Sequence, residues 1–576
     1  MPMKKLCFLS LAVLLWGCST FEEEVLPDQA DSPRQLSVSA AEEPGPDPGS
    51  LEIMQRAVDS VAAHSGGRSR SASVSGAQIE PTHRYVRFSP ATKAQFDALF
   101  DQDEFTCYNF PLDEVSPVSA DEGFRMSGPS DTPEQLYAVL RTTVVLPDTI
   151  ASEVLKELYD PSVTERGVAD PAWADRVWAE ARALIDDDRH PGNLFWTPSG
   201  EVKAWDNIAN GYVPIQGVTI SIINPSDLLR PIRVKTDANG RFSTSQTLSR
   251  NVTVNYTLSW DSDNWTIKSS ALSSANLQGP NMNSTWDVRI QAGTVMLGPA
   301  TVYRAAYRYW NKMPALGLSK PNLGRKVRIT CHNIEEIQYY ENGKLRVAGG
   351  LFHSNVSQAA DPDIEVACKI SVSKAFANAA HEIGHAAHYS YNKSYYDKVN
   401  KFVKESWARF AEYIVTECEY KDLGLSDKLH TIKTKEISYG GRISVLSFVE
   451  PDEYNRQKWF MDNSYGMERL YSPLFIDLYD NFNQFKWYSE YQLLFDPNPY
   501  IVPISEMIEI LRGMYPDDDI YIPNINEIQE IAFGSKNKEE AIGWIRQYAA
   551  RHGYGTQVVD RFWSVFSKIE REDSYD

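Results

Sequence analysis

The feature that most constrains the fold is a pair of histidines four residues apart, in His381-Glu382-Ile383-Gly384-His385. The eight preceding residues, 373–380, are rich in alanine and favour a helix. On a helix, residues four apart lie on one face, one turn from each other. Both imidazoles can then bind one metal ion, and Glu382 lies beside it, where it can act as a general base. The sequence therefore predicts a metal-binding helix at this position.

Two histidines do not complete such a site, because a catalytic zinc ion normally has three protein ligands and one open position. The metzincin arrangement, with a glycine at position 388 and a third histidine at position 391, is excluded because the chain has His388 and Tyr391 there. His388 continues the same helix face, and three such histidines in a row on a straight helix cannot surround one ion. We predict that His388 is a neighbour of the site and not a ligand.

Glu405 is the predicted third ligand. It lies twenty residues after His385, which leaves room for the first helix to end, for a loop at residues 390–396, and for a second helix to return antiparallel. Ala408 and Ala411 on that second helix are small enough to let it pack closely.

Two other carboxylates, Glu412 and Asp397, remain alternatives for the third ligand. Glu412 lies seven residues after Glu405 and therefore shares its helix face. It can also accept a hydrogen bond from a metal-bound imidazole and so fix the orientation of that ring.

The HEIGH sequence, followed about twenty residues later by Glu-Ser-Trp-Ala, is similar to the gluzincin pattern of zinc peptidases. The resemblance covers roughly residues 371–420. It implies a zincin-like domain with one Zn²⁺ held by His381, His385 and Glu405. It also implies hydrolysis of peptide bonds by a water that the ion and Glu382 activate.

The length of 576 residues is enough for about three folded domains. Residues 19–79, rich in Pro, Ser, Ala and acidic residues, are predicted to form a disordered tether. A small α/β domain is expected at 80–195, and short runs rich in Val, Ile, Thr and Tyr predict a β-sandwich at 196–292. Strands followed by helices at 293–576 predict a zincin-like domain with a mostly helical C-terminal half. The expected fold class is therefore multidomain α+β.

The sequence also predicts individual helices, strands and turns within the tether, the α/β domain and the β-sandwich. The expected helices lie at residues 51–61, 91–99, 149–158 and 171–185, and a strand is expected at 82–88. Asn239-Gly240 is expected to close a tight hairpin.

The passage VPIQGVTISI…RVKTDANGRF resembles the carboxypeptidase regulatory-like domain, a small β-sandwich common in exported bacterial proteins. The resemblance implies a scaffold or spacer and brings no catalytic residues with it.

The N-terminus has the pattern of an export signal, with Lys4 and Lys5 before a short apolar run at residues 6–15. Leu15-Trp16-Gly17-Cys18 resembles the lipobox of bacterial lipoproteins, which implies that residues 1–18 are the signal peptide and that Cys18 carries the lipid. The acidic run at 19–24 resembles the surface-export signal of Bacteroidetes lipoproteins. We therefore expect an exported protein, lipid-anchored to the outer membrane and exposed at the cell surface. The net charge of −20 argues against a nucleic-acid partner.

Four cysteines remain after the predicted signal peptide. They are widely spaced and contain no CxxC pair, so the sequence favours buried free thiols, with one or two disulfides as the alternative. These residues are Cys107, Cys331, Cys368 and Cys418.

Several features together, including YVRFSP, TDANGRF, HEIGH, ESWA and YSPLFIDLYDNFNQ, resemble zinc-dependent metallopeptidases of Bacteroidetes lipoprotein type. They imply cleavage of extracellular proteins or glycoproteins. A surface binding or adhesion lipoprotein with a vestigial zincin domain is the alternative, and zinc-dependent hydrolysis of another bond is a third. The intact Glu382 favours the peptidase, because a domain kept only for binding needs no general base.

Two further parts of a peptidase site are expected without a single assignment. The candidates for stabilising the oxyanion are Tyr439, Tyr465 and Tyr471. An edge strand around residues 349–353 is expected to pair with an extended substrate.

Overall fold

The computed structural model describes residues 45–64, 78–100, 104–120, 122–125, 134–164, 167–168, 170–185, 195–269, 275–341, 343–354, 356, 361–425, 432–439, 442–449, 474–479 and 520–566. The predicted signal peptide, Cys18, Tyr465, Tyr471 and the side chain of Tyr439 lie outside the described residues. Helices and sheets both build the protein, which is α+β.

The first sheet is three-stranded and antiparallel. Its strands are β1 (His83–Ser89), β2 (Leu136–Arg141) and β3 (Ala151–Leu158), in the order β2-β1-β3. The prediction of a helix at residues 149–158 is wrong. β3 lies at the sheet edge with its first four residues exposed, so its sequence lacks the alternation that identifies a half-buried strand.

Three helices accompany this sheet, namely α1 (Leu51–His64), α2 (Lys93–Phe100) and α3 (Pro171–Ile185). Two short strands, β4 (Val163–Thr164) and β5 (Gly167–Val168), pair with each other just before α3. Met54 and Val58 of α1 share a buried cluster with Val177 and Trp178 of α3. The prediction of a disordered tether is therefore wrong for residues 45–64, since α1 buries enough apolar surface to be fixed in place. The helix predicted within that stretch, at residues 51–61, is confirmed.

Residues 195–290 supply two sheets that share an apolar core. The strands in this range are β6 (Phe195–Trp196), β7 (Ser199–Asp206), β8 (Gly211–Pro214), β9 (Thr219–Asn224), β10 (Asp227–Lys235), β11 (Arg241–Ser243), β12 (Leu248–Ser249), β13 (Val254–Ser259), β14 (Trp265–Lys268), β15 (Asn276–Met282) and β16 (Trp286–Ile290). Within the described part of the chain, β6 and β12 pair only with each other, and β14 belongs to a different sheet. One sheet has the order β10-β9-β13-β15 and the other β11-β7-β16, with β8 paired to β7. The Tyr256 ring on β13 lies 6.1 Å from Phe242 on β11 and 5.2 Å from Trp286 on β16, so the two sheets face each other.

The Asn239-Gly240 turn reverses the chain but does not form the predicted hairpin. Gly240 alone has a positive φ, of 73°. The Asp237 carboxylate accepts hydrogen bonds from the backbone N–H groups of Asn239 and Arg241, both at 2.8 Å. The strand before the turn, β10, pairs with β9, whereas the strand after it, β11, pairs with β7. The turn thus passes the chain from one sheet to the other.

A mixed four-stranded sheet forms one wall of the candidate site. Its order is β14, β17 (Val327–His332), β21 (Ile364–Ala367) and β20 (Gly350–Phe352). The first three strands are parallel, and β20 is the antiparallel edge strand. Because β14 lies in the range 196–292, the domain boundary predicted at residue 292 would separate it from the other three strands of this sheet.

The connections of this sheet are a helix and a hairpin. Helix α4 (Leu297–Asn311), with a 3₁₀ turn at Met313–Leu316, precedes β17. The hairpin of β18 (Ile337–Glu341) and β19 (Lys344–Ala348) leads directly into the edge strand β20.

Helices make up most of the described residues after this sheet. They are α5 (Val372–Tyr391), α6 (Lys393–Tyr396), α7 (Lys401–Asp422), α8 (Leu474–Tyr479), α9 (Ile525–Phe533), α10 (Lys538–Arg551) and α11 (Thr556–Phe566). The region is not helical throughout, because β22 (Ile432–Tyr439) and β23 (Arg442–Val449) form an antiparallel pair. In the ranges that the structure describes, no helix is both long and apolar enough to cross a membrane.

The four cysteines within the described ranges are free thiols. Two are buried and two half-buried, namely Cys107 and Cys331, and Cys368 and Cys418.

Helices α5 and α7 run antiparallel in close contact. The Phe376 ring near the start of α5 lies 6.3 Å from the Tyr420 ring near the end of α7. Gly384 lies against Ala408 and Ala411, and a Cβ at position 384 would be 2.8 Å from the Ala411 Cβ and 3.4 Å from the Ala408 Cα. The small residues therefore set the spacing of the two helices.

We expect Gly384→Ala to lower the free energy of unfolding by about 1–3 kcal/mol, because the added methyl group overpacks a contact made by backbone and Cβ atoms. Gly543→Ala in α10 is the matched control, since no atom lies within 4 Å of its Cβ position. That control should raise stability by about 0.5–1 kcal/mol, the ordinary gain of alanine over glycine in a helix. Urea unfolding followed by circular dichroism compares the two, and equal stability of both variants would contradict the close packing.

A buried ion network fixes α7 to α4 and β7. The Arg304 guanidinium on α4 donates to Asp206 on β7 at 2.9 Å and to Glu419 on α7 at 3.0 Å. The Arg304 side chain is 2% exposed and that of Asp206 is 0% exposed. Arg308 on α4 adds hydrogen bonds to Glu419 and Asp422. The helix that carries Glu405 is thereby attached to two other elements.

Arg304→Met should destabilise the protein by about 3–5 kcal/mol, because it leaves the Asp206 carboxylate buried without its cation. Arg546, whose pair with Asp560 is 54% and 63% exposed, provides the control. Arg546→Met should change stability by no more than about 1 kcal/mol. Thermal unfolding of both variants checks this, and a small effect of Arg304→Met would show that the network contributes little.

Candidate metal centre

Three side chains from two helices converge on one point. The Nε2 atoms of His381 and His385 on α5 lie 3.3 and 3.4 Å from the same oxygen, Oε2, of Glu405 on α7. The two imidazole centroids are 4.9 Å apart. The potential ligand atoms of all three residues lie within 4.8 Å of one another, so the group could hold one metal ion. The antiparallel return of α7, predicted from the spacing, is what brings Glu405 to the histidines.

Each imidazole is held from behind at its other ring nitrogen. Glu412 Oε2 lies 3.0 Å from His381 Nδ1, and the Tyr396 hydroxyl lies 3.3 Å from His385 Nδ1. Arg409 donates to both oxygens of Glu412, at 2.8 and 2.7 Å. Because both Nδ1 atoms are engaged, the Nε2 atoms are the ones directed at the centre.

The other sequence candidates lie away from the central point. Asp397 is exposed, and Glu412 is on the Nδ1 side of His381, so the structure favours Glu405 over both alternatives. His388 is buried, with its ring stacked on Phe533 at a centroid distance of 4.5 Å. Burial lowers the pKa of His388 to about 3, and neither ring nitrogen has a hydrogen-bond partner among the described residues. His388 is a neutral packing residue whose ring lies 5.0 Å from the Tyr396 ring, between centroids.

The centre has an excess of negative charge. Burial alone would lower the pKa of His381, but hydrogen bonds to Glu405 and Glu412 and the charge of Glu382 raise it to about 9. Burial would raise the pKa of Glu405, yet His385 and His381 hold it well below its usual value. Three carboxylates around two imidazoles stabilise positive charge at this point, which fits a divalent cation.

Glu382 lies between the centre and the edge strand. Its side chain is buried, and burial raises its pKa, although the neighbouring His381 and His385 oppose the shift. A Cβ at Gly350 on β20 would lie 2.7 Å from the Glu382 Cγ and 2.9 Å from its Oε1. The glycine therefore makes room for this carboxylate, and a carboxylate with a raised pKa is suited to proton transfer near neutral pH.

Sequence reasoning missed Tyr396 and Gly350 as parts of the site. The signal for Gly350 was the Gly-Gly pair at 349–350, at the start of the edge strand expected at 349–353. Tyr396 had no such signal, because several tyrosines stand in the same connection and only the fold distinguishes them.

We expect Glu412→Gln to weaken metal binding by about 10–100-fold, since the amide cannot orient and polarise His381 as a carboxylate does. Titration with Co²⁺, followed by its visible absorption, measures the dissociation constant. Glu335→Gln, at a carboxylate whose side chain is 73% exposed, is the control and should leave that constant unchanged. Equal affinities for the two variants would remove Glu412 from the centre.

Comparison of the chain with protein-family models, with curated proteins and with solved structures gives no match. The functional interpretation therefore rests on the geometry of the centre and on the residues around it.

Proposed function

We propose that the protein is a zinc-dependent metallopeptidase of gluzincin type that hydrolyses peptide bonds of extracellular proteins or glycoproteins. The observation that carries the proposal is the convergence of two Nε2 atoms on Glu405, with Glu382 next to them at the edge strand β20. Two imidazoles and one carboxylate are a ligand set used by catalytic zinc, and they leave one coordination position open.

The chain's own residues supply the parts of a hydrolytic mechanism. Zinc in such a site supplies Lewis acidity toward a carbonyl oxygen and toward water. Glu382 accepts the proton of the attacking water and delivers it to the leaving nitrogen. Glu412 and Tyr396 keep the two imidazoles oriented. β20 is the edge strand of its sheet among the described residues, and this edge offers backbone hydrogen bonds to an extended substrate segment.

The setting outside the cell belongs to the same proposal. The lipobox-like sequence ending at Cys18 supports export and a lipid anchor in the outer membrane, and the sandwich at 196–292 supports a scaffold of carboxypeptidase regulatory-like type. A surface adhesion protein with a vestigial centre is the competing function. The complete set of His381, Glu382, His385 and Glu405 favours the enzyme, because adhesion requires none of them.

The test uses the full-length protein in detergent. Elemental analysis should find about one zinc per chain, and casein and a mucin glycoprotein should be cleaved. A zinc chelator should abolish cleavage, and added Zn²⁺ should restore it. Binding of mucin without cleavage at saturating Zn²⁺ would favour adhesion, and failure to bind zinc would overturn both the cofactor and the activity.

A further inference from the structure

An aromatic cluster lies beside the metal centre, at the end of β20. The Phe352 ring is nearly parallel to the His385 ring, with an interplanar angle of 18° and a centroid distance of 6.5 Å. Phe352 also lies 5.5 Å from Tyr389 and 6.2 Å from Tyr396, and these two tyrosines are 5.5 Å apart. Three aromatic rings therefore continue the wall of the centre on one side.

The members of this cluster differ in exposure. Tyr396 is 6% exposed and directs its hydroxyl at His385. Phe352 and Tyr389 are half-buried, and Phe352 only borders the main apolar core. Apolar ring surface left partly accessible next to a potential metal ligand is typical of a binding site for an apolar group.

The alternation of side chains along β20 shows which substrate side chain would meet the aromatic cluster. Side chains two residues apart on a strand lie on the same face. Position 350 faces Glu382, so position 352 lies on that same face, where Phe352 contacts His385. Leu351 pairs with Glu365 and lies on the opposite face. A substrate segment paired with β20 would therefore present one side chain directly to Phe352.

We propose that Phe352 and Tyr389 form a specificity subsite for an aromatic or large aliphatic side chain of the substrate, close to the scissile bond. The inference rests on the proposed peptidase function and adds a substrate class to it. Cross-strand contacts between an aromatic residue and an aromatic or β-branched residue are favourable, so the subsite discriminates by contact area. A small or acidic side chain at the same position would leave the rings uncovered.

The experiment compares the full-length wild type with Phe352→Ala, Phe352→Leu and the control Leu351→Ala. Each protein is given synthetic peptides that differ at a single position, with Phe, Leu or Ala on one side of the cut. The wild type should favour Phe and Leu over Ala by about tenfold or more in kcat/KM. Phe352→Ala should lose this preference, whereas Phe352→Leu should keep the preference for Leu and Leu351→Ala should keep both.

Binding supplies a readout that does not depend on turnover. Peptide hydroxamates with a Phe or an Ala side chain are titrated into each protein by calorimetry. Wild type should bind the Phe compound about tenfold more tightly than the Ala compound, whereas Phe352→Ala should bind the two compounds equally. Zinc content and thermal unfolding show whether each variant is folded. Cleavage with the same side-chain preference in wild type and Phe352→Ala would overturn the subsite alone. Absence of both cleavage and hydroxamate binding in zinc-loaded wild type would overturn the peptidase function.

Discussion

Glu382→Gln should reduce kcat by a factor of about 100 to 10,000, the range that general acid–base catalysis contributes, while zinc content stays at about one per chain. Glutamine has nearly the same shape but cannot accept the proton of the attacking water. Glu382 is not one of the three converging side chains, so metal binding does not depend on it.

The same substitution makes a prediction about stability. Burial raises the pKa of Glu382 above its unfolded value, so its ionised form destabilises the folded, metal-free protein at neutral pH. The neutral amide removes that cost, and the metal-free Glu382→Gln protein should unfold at the same temperature as wild type or higher. A substitution that lowers the reaction rate but leaves the protein as stable as wild type, or more stable, is typical of a catalytic residue.

The measurements are steady-state cleavage of a peptide, elemental analysis and thermal unfolding in the presence of a chelator. Glu335→Gln serves as the matched exposed control and should match wild type in all three. Undiminished cleavage by Glu382→Gln would remove the general base from the mechanism, and loss of zinc would show that Glu382 is itself a ligand.

Glu405→Ala should lose zinc under conditions in which wild type is saturated, and activity should disappear with it. Glu405 provides the single oxygen to which both Nε2 atoms are directed, so no other described side chain takes its place in the centre. The loss of affinity should exceed the 10–100-fold expected for Glu412→Gln, because a ligand is removed instead of the group that orients one.

The order of zinc affinities among three variants tests the assignment of Glu405 as a ligand more strictly than one variant does. Zinc affinity should be closest to wild type in Glu382→Gln, which loses only a nearby charge, intermediate in Glu412→Gln and lowest in Glu405→Ala. Competition with a chromophoric chelator gives all three dissociation constants on one scale. If Glu412→Gln lost more affinity than Glu405→Ala, the two carboxylates would have to exchange roles.

The metal-binding helix could be predicted from the sequence because the helical period fixes the relation of His381 to His385. The spacing to Glu405 left room for an antiparallel return, and the small residues at 384, 408 and 411 indicated close packing. For α5 and α7, the residues whose spacing is visible in the sequence are the same ones that make the tertiary contacts.

Other features of the structure depend on tertiary contacts that cannot be read from the local sequence. β3 carries the polar composition of an exposed helix, and only its pairing with β1 makes it a strand. The Asn239-Gly240 turn has the residues of a hairpin, yet β10 pairs with the preceding strand β9, and β11 pairs with the more distant strand β7. Tyr396 became part of the centre because α6 places its hydroxyl at His385, a long-range outcome that spacing does not determine.

The position of β14 has a consequence for how this protein can be divided. The strand lies next to β17 in the sheet behind the centre, although most of its neighbours in sequence belong to the two facing sheets. A chain shortened to residues 293–576 would expose the backbone hydrogen-bonding groups of the buried strand β17, and exposed groups of this kind promote self-association. The segment that resembles a portable spacer therefore supplies one strand of the sheet behind the metal centre, and we expect a protein without it to aggregate.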